Sequence, residues 1–97
     1  MAQAPHIPSI ELLESTHKFP GPYIFKAIGA QDTGFVARVV AAVREELKLT
    51  VDPPHEERVS EGGRHVAVTV TIRVQSAVEV RAVYGRLLTV RGLTILL

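Results

Sequence analysis

Apolar and polar positions along the chain fall into two rhythms, one of period two and one of period three to four, separated by breaks that carry Pro and Gly. The run Tyr23 to Ile28, Tyr-Ile-Phe-Lys-Ala-Ile, is aromatic and β-branched and is closed by Gly29, which predicts a first strand. Burying Lys26 without a partner is costly, so parity puts Tyr23, Phe25 and Ala27 toward the core and Ile24, Lys26 and Ile28 on the other face. Next, Phe35, Val36, Val39, Val40, Val43 and Leu47 recur at spacings of three and four, with Arg38, Arg44, Glu45 and Lys48 off the stripe. That pattern is an amphipathic helix of about four turns, preceded by the N-cap residue types Asp32 and Thr33. Between Leu49 and Ser60, Pro53, Pro54 and several charges interrupt the rhythm. A strand there belongs at a sheet edge, with only Val51 and Val59 turned inward. Ser60, Glu61, Gly62 and Gly63 then supply hairpin-turn chemistry. Strict alternation follows, with Val66, Val68, Val70, Ile72 and Val74 against His65, Ala67, Thr69, Thr71 and Arg73, which predicts a long central strand. Ser76 and Glu79 form an S-x-x-E capping box that opens a second helix. Its inward stripe is Ala77, Val80, Val83 or Tyr84, Leu87 and Leu88, and Gly92 ends it. Leu93 to Leu97 reads as a last strand.

The order strand, helix, strand, strand, helix, strand is the βαββαβ, ferredoxin-like α+β arrangement. Two right-handed crossovers then place both helices on one face of a four-stranded antiparallel sheet in order four, one, three, two. The single domain is expected over residues 23–97. Residues 1–22, with the short apolar cluster Ile10, Leu12 and Leu13, read as a tail with at most one turn of helix.

Composition narrows what such a domain does. At 97 residues, with 46% hydrophobic and 22% charged side chains, there is room for one core only. A net charge of +1 is too balanced for a protein devoted to a phosphate backbone, and the absence of Cys removes thiolate chemistry. No apolar run approaches the roughly 20 residues of a bilayer span, so no membrane is expected and a cytoplasmic location is. His6, His17, His55 and His65 lack metal-ligand spacing, so neither a metal nor another cofactor is expected. Glu56 and Glu57 are adjacent and point to opposite faces of a strand, no Ser sits in G-x-S-x-G, and no Walker-type loop is present. No catalytic residue emerges, and a non-enzymatic protein is the expectation.

Phe19-Pro20, the segment Tyr-Ile-Phe-Lys-Ala-Ile-Gly at 23–29, His-Val-Ala-Val-Thr-Val-Thr-Ile at 65–72, and Val83, Tyr84, Leu87 and Leu88 together resemble the YbeD-like family of small bacterial proteins. The resemblance covers roughly Leu12 to Leu97. It implies a ferredoxin-like fold in a form similar to ACT regulatory domains, and a family without an established activity. A second resemblance lies in Gly29-Ala-Gln-Asp-Thr-Gly-Phe-Val36, which is similar to the strand-to-helix turn of ACT domains, a turn that lines effector pockets. It implies a ligand site at Gly29, Asp32, Thr33 and Gly34, where backbone amides at the helix start hold a carboxylate. The same residues also suit plain helix capping.

The open sheet face is expected to carry Ile24, Lys26, Ile28, Ala67, Thr69, Thr71 and Leu96, an unusually apolar set for a solvated sheet. Ile24, Lys26, Ile28, Thr69 and Thr71 are therefore candidate interface residues for a homodimer or a larger protein. The expected role is a regulatory or adaptor module that binds a small metabolite or a partner protein. The alternative is weak RNA binding through Lys26, Arg64 and Arg73. The outward face of the Val-rich strand carries no Phe or Tyr on which a base would stack, which makes nucleic acid the lesser expectation.

Overall fold

A computed structural model of the protein describes residues 7–97, so His6 and the rest of residues 1–6 lie outside the described residues. Within them the elements run α1 (Ile10–Thr16), β1 (Gly21–Ala30), α2 (Phe35–Glu46), β2 (His55–Val59), β3 (His65–Val74), α3 (Ala77–Leu87) and β4 (Leu93–Leu96). The result is an α+β domain with an antiparallel sheet in the order β2-β3-β1-β4, which runs four, one, three, two when read from the β4 edge.

The Val-rich alternation becomes the long central strand β3, paired with β1 over ten residues from Gly21↔Val74 to Ala30↔His65. Parity in β1 follows the cost of burying Lys26: Tyr23, Phe25 and Ala27 face the helices, while Ile24 and Lys26 are exposed on the far side. Across the ladder, Phe25 and Ala27 meet Val70 and Val68, and all four are buried beneath α2 and α3. In α2 the stripe Phe35, Val39, Val40 and Val43 is buried, with Ala42 beside it. At the start of α3 the Ser76 cap forms, its hydroxyl accepting from the Glu79 amide at 3.2 Å, and Glu79 reaches back one residue further than in a capping box, to accept from the amide of Gln75 at 2.8 Å. Gly92, with φ +94°, makes the left-handed turn into β4.

Four expectations need correction. The segment read as a tail carries α1, capped by the Ser9 hydroxyl on the Leu12 amide, and its Leu13 is 1% exposed within the core, packed on the α3 side of the domain. One apolar residue per turn is enough to dock a short helix when a neighbouring helix offers the other wall, so the described residues hold three helices rather than two. Val51 and Val59 are exposed, and Pro53 is the buried residue of that stretch. The helix α2 covers β1 and β3, so β2 overhangs at the edge, where the missing Pro N–H groups cost no ladder bond. Leu88 is exposed because α3 ends at Leu87, one residue earlier than the stripe. Leu96 pairs with Ala27 and turns to the helices, whereas Ile95 pairs with Ile28 on the open face. The one polar residue between Leu93 and Leu97, Thr94, is exposed next to an exposed Ile95, so strict alternation from it puts Leu96 on the wrong face.

An aromatic seam joins the sheet to α3. Phe25 meets Tyr84 edge-on at 5.1 Å between centroids, and the hydroxyls of Tyr23 and Tyr84 bond at 3.0 Å inside the core. Burial, and then that bond, raise the Tyr84 phenol well above its ordinary pKa.

Candidate functional site

At the β1–α2 turn the structure brings Gly29, Asp32, Thr33 and Gly34 together, but sets the protein's own groups around them. One Asp32 oxygen accepts from the amides of Gly34 and Phe35, both at 2.8 Å, so the donors expected to hold a ligand carboxylate already hold one. Arg38, on the first turn of α2, reaches back to the other Asp32 oxygen at 2.9 Å and donates through Nε and Nη2 to the Arg91 carbonyl at 3.1 and 3.0 Å. The Gly34 amide first, and then Arg38, hold the Asp32 carboxyl below its ordinary pKa.

The two glycines make this clasp physically possible. A Cβ on Gly29 would collide with the Phe35 ring and the Gly92 carbonyl, and one on Gly34 would collide with the Arg38 guanidinium. Their missing side chains therefore make room for Phe35 and Arg38. Thr33 is exposed and makes no side-chain hydrogen bond among the described residues. It stands at one end of a groove of about 590 Å³ between α2 and the β2 edge, floored by Val36, Val40 and Ala41 and rimmed by the Arg44–Asp52 ion pair and His55. Arg38 was not among the candidates read from the sequence. Its only signal there is an Arg near a Gly-flanked helix start, which many helices share.

The other candidate surface is the sheet face away from the helices. Ile24 (60% exposed), Ile95 (45%) and Leu97 (60%) lie there with Lys26, Ile28, Thr69 and Thr71. Leu97 shares two backbone bonds with Lys26, which fixes it beside that residue. Register adds Glu56 opposite Thr69 and Arg58 opposite Ala67, two charged residues from the stretch whose charges break the apolar rhythm between Leu49 and Ser60. Over the small Ala67 and Thr69 side chains the face is hollow: one concavity is bounded by Ile28, Arg58 and His65, another by Lys26 and Glu56.

No Phe or Tyr lies on this face within the described sheet, since Tyr23 and Phe25 are buried on the helix side, and His65 stands on it at the hairpin end of β3. Of the candidate RNA contacts, Lys26 lies at the centre of the face, whereas Arg64 and Arg73 sit toward its ends. Two other arginines late in the chain are engaged elsewhere: Arg86 pairs with Glu45 and Glu46 across α2 and α3, and Arg81 donates to the Pro8 carbonyl at 2.9 Å. His17 packs on Tyr23 and His55 Nδ1 donates to the Pro53 carbonyl, and no metal-capable group of three or more His, Asp or Glu occurs among the described residues. No helix among them is long and apolar enough to cross a membrane.

No curated protein matches the sequence. A family model described as "Protein of unknown function (DUF493)" matches residues 14–97, from the second half of α1 through β4, and the chain belongs to that family.

Proposed function

We propose that the protein is a non-enzymatic regulatory or adaptor module of ferredoxin-like, ACT-like architecture whose working surface is the open sheet face and whose partner is a protein. The βαββαβ order and the placement of α2 and α3 on one side of the sheet support the ferredoxin-like assignment. One observation carries the functional choice: the β1–α2 turn fills its own anion site with Asp32, while the sheet leaves Ile24, Ile95 and Leu97 exposed and Ile28 half-buried. A metabolite carboxylate at the turn must displace a carboxylate already tethered and paired with Arg38, which costs affinity. A protein surface on the sheet removes apolar area from water at no such cost.

Site-specific photocrosslinking separates the two surfaces. With a photoreactive residue at Thr71 on the open face, protein adducts identified by mass spectrometry are expected. With the same group at Thr33, none are. Adducts only from Thr33, or saturable amide shifts at Gly29 to Gly34 on titration with amino acids and small carboxylates, overturn the proposal.

A further inference from the structure

The open face has a relief that its sequence register makes self-complementary. Along β1 stand Ile24, Lys26 and Ile28; directly opposite each on β3 stand Thr71, Thr69 and Ala67. Each of these three pairs sets a long side chain beside a short one, so the middle of β1 is a ridge and the middle of β3 a trough one strand away, while at the two ends Arg73 and His65 on β3 stand opposite the short Pro22 and Ala30. The far bank of the trough is β2, with Glu56 beside Thr69 and Arg58 beside Ala67. Lys26 and Glu56 thus flank Thr69 in a single row with opposite charges, and neither has an ion-pair partner among the described residues.

We infer that the occupant of the open face is a second copy of this chain, related by a two-fold axis that runs along the strands between β1 and β3. This rests on the reading of that face as the working surface. Rotation about such an axis lays the β1 ridge of each copy in the β3 trough of the other. Ile28 enters the hollow over the partner's Ala67, Ile24 lies over the partner's Thr71, and Lys26 lies over the partner's Thr69. From there the Lys26 ammonium reaches the partner's Glu56, giving two symmetric ion pairs in place of four unpaired charges. β4 of each copy meets β2 of the other, so the aliphatic Ile95 covers the stem of the partner's Arg58.

Two sheets packed about 10 Å apart with strands nearly aligned is an ordinary sandwich geometry. The face is also large enough. Two ten-residue strands and two shorter ones give roughly 500 Å² of flat projection. Side-chain relief raises this toward the ~800 Å² that each partner buries in a standard interface. Two-fold symmetry makes the contact isologous, so the assembly closes at two.

Sedimentation equilibrium of the full chain up to about 1 mM reads the outcome as mass, 10.6 kDa for one copy or twice that for two. A dimer is expected. Lys26→Glu and Glu56→Lys each place like charges across the axis and are expected to raise its Kd by roughly 100-fold. Mixed in equal amounts, the two variants are expected to associate as the unaltered chain does, because each supplies the charge the other lacks. Both positions are exposed, and circular dichroism checks that each variant is folded. Monomer mass at every concentration, single variants that associate normally, or a mixture that stays monomeric overturns the inference. Should the chain be monomeric and Thr71 crosslink to a different protein, the face stands and only its occupant is wrong. A monomer without Thr71 adducts overturns both.

Discussion

Removing one hydroxyl from the Tyr23–Tyr84 pair is expected to cost more than removing both. The two oxygens lie 3.0 Å apart in residues that are 7% and 4% exposed, so Tyr84→Phe strands the Tyr23 hydroxyl where water scarcely reaches it. An unsatisfied buried hydroxyl costs about 1–3 kcal/mol. Taking about 2 kcal/mol, Tm of a domain this size falls by roughly 8–16 °C. Tyr23→Phe strands the other hydroxyl and behaves alike. The double variant keeps both rings and their edge-on contact, leaves no orphan, and is expected within about 1 kcal/mol of the unaltered chain. The coupling between the two sites is therefore stabilising in the double-substituted protein.

The chain has no Trp, so urea unfolding is best followed by circular dichroism. The pair also has an alkaline signature. The folded Tyr84 pKa lies above the ordinary 10.0, so above that pH the unfolded chain loses a proton that the folded chain retains. Stability is whole below pH 10 and declines above it, and the decline is smaller in the double variant. Single variants that cost nothing, or costs that simply add in the double, refute the account of the buried bond.

Leu13→Ala empties a fully buried site and is expected to destabilise by about 2–5 kcal/mol in the same urea titration, as a core residue does and a tail residue does not. The Asp32 carboxyl has a folded pKa below the ordinary 3.8, so its contribution is present above that value and is lost as pH falls beneath it. Asp32→Asn is expected to flatten the acid limb of stability measured between pH 6 and 2.5, and an unchanged limb removes the clasp from the explanation.

What the sequence made legible was wherever a single residue type forced a choice. Lys26 fixed the parity of β1, unbroken Val alternation fixed β3, and Ser76 with Glu79 fixed the start of α3. The illegible parts depended on distant partners. Leu13 looks no different from Leu12 until a third helix is placed against it, and Leu12 is 53% exposed. Between Leu93 and Leu97 the polar Thr94 misleads, because simple alternation from it turns Leu96 outward, and only the ladder, with its irregularity between Ile28 and Gly29, decides that Leu96 faces in and Ile95 out. At the turn, Gly29, Asp32 and Gly34 were visible as a constellation. Which atoms occupied the space beside them was not, because Phe35, Arg38 and Gly92 fill it only once α2 and β4 are in place.

The clasp on Arg38 bears on how the domain opens. A four-residue strand at the end of a sheet ordinarily frays at little free-energy cost, and its amides exchange with solvent long before the centre does. Here the guanidinium holds the Arg91 carbonyl just ahead of β4, and the Ala30 amide holds Gly92 at 3.1 Å. Lifting β4 away breaks the anchorage of the first turn of α2, some fifty residues earlier in sequence. The last strand thereby joins the cooperative unit of the first helix it touches, and its amides exchange when that helix start opens.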